Sequence, residues 1–95
     1  MSEIARHVVI KGRVQGVGFR WWTASQARDL HLDGWVRNRF DGTVEAVFRG
    51  AREAVDEMIQ ACHRGPPSAR VEAVQAREAR ADEAGQGGFE QRETV

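Results

Sequence analysis

The chain has 95 residues, of which 41% are hydrophobic and 29% charged, so it is too apolar for a disordered chain and long enough for one core. Its 14 basic and 14 acidic residues cancel, but residues 1–39 hold seven basic against three acidic residues, and 13 of the 14 cations are arginine, which suits forked contacts with oxyanions. A single cysteine excludes an intrachain disulfide or a thiolate metal cluster, and the lack of an export signal or a membrane-length apolar segment predicts a cytoplasmic single domain over residues 1–95.

The first half of the chain predicts a strand, a helix and a β-hairpin. Apolar residues alternate with others over residues 8–14, which indicates a strand with one buried face. Over residues 19–30 the apolar residues recur at three- and four-residue steps, which indicates a helix. Two further strands, residues 35–38 and 43–49, are joined by residues 39–42, where an Asp-Gly pair is typical of a hairpin turn.

The second half predicts one more helix and two weaker strands. Residues 51–63 form the helix, and the Gly-Pro-Pro run that follows ends it. A strand with a bulge is expected around residues 71–74, residues 77–88 are expected to be loose, and a short, rather polar strand covers residues 89–95. The helix is expected to bury a stripe formed by Val55, Met58, Ile59 and Cys62.

The order β-α-β-β-α-β predicts the α+β class. It favours a ferredoxin-like sandwich, in which an antiparallel sheet carries both helices on one face.

One stretch, GRVQGVGFR at residues 12–20, places three glycines between arginines where the first strand should end. A Walker A loop is excluded, because Phe19 and Arg20 stand where Lys and Ser or Thr would be needed. A dinucleotide fingerprint is excluded as well, because Trp21 occupies its third glycine position. Two interpretations remain from spacing alone: an anion site and a tight turn with a surface arginine.

The anion site has a physical basis in three features of this stretch. Glycines allow successive backbone N–H groups to converge on one point. The next helix begins at about residues 19–20, so its unpaired N–H groups and positive dipole end are directed at the same place. Arg20 at the helix start can add two parallel charge-assisted hydrogen bonds to an oxyanion. These features fit a terminal phosphate.

Two further blocks extend the pattern: GWVRN at residues 34–38 and DGTVE at residues 41–45. Together with GRVQGVGFR they closely resemble the acylphosphatase family, along nearly the whole chain. The resemblance implies a small βαββαβ enzyme that hydrolyses the carboxyl–phosphate bond of acyl phosphates without a metal or another cofactor. Two departures from the family pattern are Phe40 in the hairpin loop and the polar last strand.

The resemblance also implies the roles of individual residues. Arg20 is expected to bind the substrate phosphate together with backbone amides of the loop, and Asn38 to hold the attacking water. The loop residues concerned are Gln15, Gly16, Val17, Gly18, Phe19 and Arg20. Inorganic phosphate and sulfate are expected to bind there as mimics of the product.

The remaining notable side chains are interpreted as structural. Trp22 and Trp35 are expected to pack, whereas Trp21 is expected to be partly exposed and without a role toward substrate. Cys62 is interpreted as a small core residue. The three histidines lie on separate predicted elements, so they do not suggest a metal site, whose ligands must converge.

Other functions stay open at this point. RNA-recognition domains share the βαββαβ layout, although the expected outward face here, with Val9, Lys11 and Glu45 on it, has no stacking aromatic residue. Acylphosphatase-like domains of hydrogenase maturation proteins use carbamoyl phosphate, and a ligand-binding module without turnover is a further alternative. We expect a monomeric enzyme acting on a small acyl phosphate, with no nucleic-acid or membrane partner.

Overall fold

The computed structural model describes residues 2–95, which fold into five strands, two α-helices and one short 3-10 helix. None of the helices among these residues has the length and apolar character needed to cross a membrane. In chain order the elements are β1 (Glu3–Arg13), α1 (Phe19–Asp29), β2 (Asp33–Asn38), β3 (Val44–Ala51), α2 (Arg52–Arg64), β4 (Arg70–Glu78), the 3-10 helix (Ala81–Ala84) and β5 (Phe89–Gln91).

All five strands belong to one sheet, in the order β4-β1-β3-β2-β5. The first four are joined by antiparallel pairings, and both α-helices pack on the same side, so the predicted ferredoxin-like fold is confirmed. The sheet is mixed rather than wholly antiparallel, because the connection after β4 brings β5 alongside β2 in parallel. The bulge expected in β4 is present: Lys11 pairs with Ala73 and Gly12 with Val71, which leaves Glu72 as the extra residue.

The strand directions bring three chain segments to one edge of the sheet. β1 and β2 are both antiparallel to β3, and β5 is parallel to β2. These three strands therefore run in the same direction, and their C-terminal ends lie at the same edge. The glycine-rich loop follows β1, and α1 begins directly after it.

The main hydrophobic core lies between the helices and the sheet. The stripe expected on α2 is confirmed, since Val55, Met58 and Cys62 are fully buried and Ile59 is partly buried against them. Burial raises the pKa of the Cys62 thiol to about 12, so this residue stays protonated and serves as packing. The strands contribute Val8, Ile10, Val36, Val44, Ala46 and Phe48.

Helix α1 separates the two adjacent tryptophans. Trp22 is partly buried, and its ring packs edge-on against Phe19 with 5.4 Å between the ring centroids. Thr23 and Ala24, which follow it, are fully buried. Trp21 lies outside this core and is 69% exposed. The packing role expected for Trp22 is therefore confirmed.

The expectation that residues 77–88 are loose is wrong. β4 continues to Glu78, and the 3-10 helix covers part of the sheet face that the α-helices leave free. Ala84 of this helix packs with Trp35 and Val47 in a second, smaller core, and Trp35 Nε1 donates to the Glu83 carbonyl over 2.8 Å. These contacts could not be predicted from the polar composition of the segment, because they are made mainly by a backbone carbonyl and one small side chain.

The last strand is shorter than expected, since β5 ends at Gln91. The residues after it still follow β2, because Arg92 N donates to the Val36 carbonyl over 2.8 Å and Val95 N donates to the Asn38 carbonyl over 3.2 Å. The Val95 carbonyl in turn accepts from Phe40 N over 2.7 Å. This segment ties the end of β2 to the hairpin loop.

A charged cluster around Glu45 occupies the sheet face opposite the α-helices. The Glu45 side chain is only 8% exposed; its Oε2 lies 2.6 Å from His7 Nε2, and its Oε1 accepts from Arg37 Nε over 2.8 Å. Burial alone would raise the pKa of Glu45, but the hydrogen bonds and charges of His7 and Arg37 outweigh it, so the pKa lies below its usual value. The ionised carboxylate is therefore favoured in the folded protein.

We expect Glu45→Gln to flatten the acid side of the pH–stability curve. A carboxyl whose pKa is lower in the folded than in the unfolded chain stabilises the fold above the unfolded pKa, and this contribution is lost as the pH falls through the folded pKa. Near pH 7 the free energy of unfolding of the variant should be about 1–3 kcal/mol lower than that of the wild type, because its hydrogen bonds are no longer to a charged group. This difference should vanish in acid. Urea unfolding from pH 7 down to pH 3 measures this.

The matched control is Glu57→Gln, because Glu57 is exposed on α2. Its curve should follow that of the wild type. A Glu45→Gln deficit that stays constant across this pH range would contradict a role for the ionised carboxylate.

Candidate active site

A cleft of about 180 Å³ opens at the sheet edge where β1, β2 and β5 end. The glycine-rich loop and the first turn of α1 form one side, and the ends of β2 and β5 contribute the other. Its walls are formed by Val14, Gly16, Gly18, Phe19, Arg20, Trp21, Asn38 and Gln91. The structure thus brings together Arg20 and Asn38, which lie on separate blocks of the sequence.

Two positions of the loop need glycine because of their backbone conformation. Gly16 and Gly18 have φ of +73° and +80°, in the left-handed region that other residues rarely adopt. A Cβ on either residue would meet nothing within 4 Å, so space is not the reason for glycine. Left-handed residues alternating with ordinary ones turn successive N–H groups to the same side, which forms an anion-binding concavity.

The N–H groups of this loop have no acceptor in the protein. Among residues 2–95, none of the backbone N–H groups from residue 15 to residue 21 is paired with a protein acceptor. The first backbone bond of α1 runs from Trp22 N to the Gly18 carbonyl over 3.0 Å. The first turn of α1 has no acidic residue and no side-chain cap. Such a helix start favours an anion, through its free N–H groups and its dipole.

Arg20 brings positive charge that no carboxylate neutralises. It lies in the first turn of α1 and is partly buried. Within residues 2–95 its side chain makes one long hydrogen bond, from Nη1 to the Arg92 carbonyl over 3.5 Å. No Asp or Glu among these residues forms a salt bridge with it. The cleft walls themselves contain no acidic residue. The guanidinium is therefore free to grip an anion held by the loop.

Asn38 is the last residue of β2, and its side chain is free for a ligand. Its backbone carbonyl accepts from Val95 N, which fixes the end of the strand. Its carboxamide makes no hydrogen bond to any of residues 2–95, although it lines the cleft. A carboxamide offers a donor and an acceptor without titrating, so this group can hold a water molecule.

Gln15 anchors the loop instead of facing the cleft. Its Nε2 donates to the carbonyls of Arg39 and Thr43 over 2.7 and 2.9 Å, which ties the loop to the β2–β3 hairpin. Val17 packs its side chain against the main core. Of the six loop residues expected to bind phosphate, Gly16, Gly18, Phe19 and Arg20 line the cleft, whereas Gln15 and Val17 do not. The side chains of these last two are therefore not available to a ligand in the cleft, and only their backbone N–H groups are.

Two residues of the cleft were missed by the sequence interpretation. Gln91 shares the face of Phe89 on β5, in the strand that the sequence predicts only as short and rather polar. A polar residue at an inward-facing position beside the loop was the signal that could have identified it. Trp21 was expected to have no role toward substrate, yet it forms part of the cleft wall.

Among residues 2–95, no group of three or more His, Cys, Asp or Glu residues is placed to hold a metal ion. The cleft can bind a compact dianion through the loop N–H groups and Arg20, with a water on Asn38 beside it.

Comparisons with known proteins agree on one family. A family model described as Acylphosphatase matches residues 6–91. The acylphosphatase of Rhodopseudomonas palustris is 60% identical over 82 residues, covering 86% of this chain and 83% of that protein. The solved acylphosphatase of Coxiella burnetii superposes with a TM-score of 0.89 at 36% identity, covering 95% of this chain and 93% of that one. Full-length HypF in its phosphate- and nucleotide-bound form matches with a TM-score of 0.86 at 28% identity, over 98% of this chain and 12% of HypF.

We expect Gly18→Ala to impair anion binding beyond its effect on stability. A left-handed φ costs a residue with a Cβ about 1–2 kcal/mol, and relief of that strain turns the N–H groups away from their common point. Inorganic phosphate at about 100 times its dissociation constant should stabilise the wild type by roughly 2.7 kcal/mol and the variant by much less. Thermal melts with and without phosphate measure both effects.

Gly87→Ala is the matched control. Gly87 also has a positive φ, +132°, with open space around its Cβ position, but it lies in the loop before β5, away from the cleft walls. This variant should lose stability and keep the full response to phosphate. An undiminished response of Gly18→Ala would place the anion elsewhere.

Proposed function

This chain belongs to the acylphosphatase family of enzymes, and from that premise we propose which of its residues hold the phosphoryl group of a small acyl phosphate and which place the water. The backbone N–H groups of residues 15–20 and the Arg20 guanidinium bind the phosphoryl oxygens, and Asn38 positions the attacking water. The observation that carries the proposal is the unbroken row of unpaired N–H groups beside an Arg20 that has no carboxylate partner.

The substrate makes modest demands on the protein. Its leaving group is a carboxylate, whose conjugate acid has a pKa of about 4–5, so no general acid has to protonate it. Phosphoryl transfer then requires that the developing charge is stabilised and that the water lies in line with the breaking bond. The loop N–H groups and Arg20 provide the first, and the Asn38 carboxamide provides the second.

The reaction balances with these groups alone. The Asn38-bound water oxygen forms a bond to phosphorus while the bond from phosphorus to the acyl oxygen breaks, and the carboxylate leaves with that electron pair. A proton of the water passes to a phosphate oxygen of the substrate. The products are a carboxylate and inorganic phosphate, and no step requires a side chain of the cleft wall to release or accept a proton.

The alternatives receive less support. HypF matches this chain at 28% identity, whereas a relative named acylphosphatase is 60% identical to it. The higher identity favours general acyl phosphates over carbamoyl phosphate as substrates. An RNA-binding role requires exposed aromatic residues on the open sheet face, and Trp35 on that face is only 6% exposed beneath the 3-10 helix. The monomeric state, the cytoplasmic location and the single-domain organisation stay predictions.

Substitutions at Arg20 and Asn38 should affect turnover and phosphate inhibition differently. Arg20→Lys keeps the charge but loses the planar fork, so turnover should fall by about 10²–10³-fold and phosphate should inhibit more weakly. Asn38→Ala should lose roughly 10²-fold in turnover, since the water is misplaced, while phosphate inhibits at nearly the wild-type concentration. Kinetics with benzoyl phosphate, and inhibition by inorganic phosphate on the same preparations, measure both quantities.

Arg13→Lys is the matched control, because Arg13 is exposed at the end of β1 and does not line the cleft. It should retain wild-type kinetics, and circular dichroism should show all three variants folded. Wild-type turnover in Arg20→Lys would mean that charge alone suffices. Weaker phosphate inhibition without a loss of turnover in Asn38→Ala would make Asn38 a phosphate ligand instead.

A further inference from the structure

Trp21 is the exposed apolar surface of the cleft. It follows Arg20 in the first turn of α1 and is 69% exposed, whereas the neighbouring Trp22 packs on Phe19. A single exposed tryptophan is unremarkable on a protein surface. Its position in the cleft wall, directly beside Arg20, is the feature that calls for an explanation.

No packing duty accounts for Trp21. Among residues 2–95 the Trp21 side chain takes part in no aromatic pair, no cation–π contact and no hydrogen bond. Trp35 differs in two of these respects, since its Nε1 donates to the Glu83 carbonyl and the Arg37 and Arg92 guanidinium groups lie over its ring, at 4.6 and 4.8 Å from the ring centroid. The ring of Trp21 is thus available to a ligand.

The other walls of the cleft offer little apolar surface. Val14 and Phe19 are 1% and 2% exposed, so their side chains belong to the core. Asn38 and Gln91 present polar carboxamides, and the two glycines present backbone. An apolar group that enters this cleft therefore either covers the Trp21 ring or stays in water.

An acyl phosphate has two chemically distinct ends. Its phosphoryl end suits the N–H groups of residues 15–21. Trp21 is the last residue of this row, so its side chain lies next to the N–H groups. The acyl end of the substrate must lie on the other side of the phosphorus, over the part of the cleft wall that Trp21 forms. A flat aromatic ring provides a large apolar contact there at a low cost in side-chain entropy.

We propose that Trp21 contacts the acyl group of the substrate and makes the enzyme prefer aryl and extended apolar acyl phosphates over acetyl phosphate. This inference rests on the proposed function of the cleft. The Trp21 side chain, which belongs neither to the loop nor to the water site at Asn38, then determines the specificity for the acyl group. Phosphate binding depends on other groups.

The test compares kcat/KM for benzoyl phosphate and acetyl phosphate in the wild type, Trp21→Ala and Trp21→Phe. Trp21→Ala should lose about tenfold on benzoyl phosphate, equivalent to about 1.4 kcal/mol, and stay within about twofold on acetyl phosphate. Trp21→Phe should keep most of the preference, because it retains an aromatic face. Phe40→Ala is the matched control: Phe40 is 84% exposed on the hairpin loop but does not line the cleft, so both rates should be unchanged.

Equal losses on both substrates would overturn the inference, because Trp21 would then act on Arg20 or the loop. Unchanged rates on both would overturn it as well, because the acyl group would lie in water. A second readout does not need turnover: phenylphosphonate should raise the melting temperature of the wild type more than phosphate does, and Trp21→Ala should abolish that difference. If the wild type hydrolyses neither substrate, the proposed function fails, while the phenylphosphonate comparison still decides the contact with Trp21.

Discussion

Backbone N–H groups need acceptors, and the loop between β1 and α1 leaves a continuous run of them without one among residues 2–95. The left-handed Gly16 and Gly18 turn these groups to one side, and the helix start after Gly18 adds N–H groups that no preceding carbonyl can reach. The Gln15 side chain holds the arrangement by bonding to two carbonyls of the β2–β3 hairpin. An anion could accept hydrogen bonds from these N–H groups, so the proposed anion site is a consequence of the backbone and not of a cluster of charged side chains.

The sheet delivers the other groups to this loop. Because β1, β2 and β5 run in one direction, the loop after β1, Asn38 at the end of β2 and Gln91 at the end of β5 meet at a single edge. The segment after β5 bonds to β2 and to the hairpin loop, and the Arg92 carbonyl lies 3.5 Å from the Arg20 guanidinium. The part of the fold proposed to bind the phosphoryl group is thus held by contacts on both sides.

The loop and Arg20 were recognisable from sequence because they lie in one contiguous block whose residue types are dictated locally, by positive φ and by a helix start, whereas Asn38 was indicated only by the resemblance to the acylphosphatase family. Gln91, Trp21 and the order within residues 77–88 were not recognisable, because they depend on which segments become neighbours. β5 is three residues long, so it carries too little periodicity to show its pairing with β2. The Gln15 side chain was unpredictable for the same reason: its two acceptors lie 24 and 28 residues further along the chain.

The proposed site requires that backbone amides, with Arg20, hold the phosphoryl group. Amide NMR on the ¹⁵N-labelled protein during titration with inorganic phosphate can test this binding mode, because each N–H is observed separately. We expect the largest saturable shifts on residues 15–21, and we expect Arg20→Lys to weaken the affinity derived from them. Shifts concentrated instead on the open sheet face around His7 and Arg77, with residues 15–21 unaffected, would contradict this binding mode.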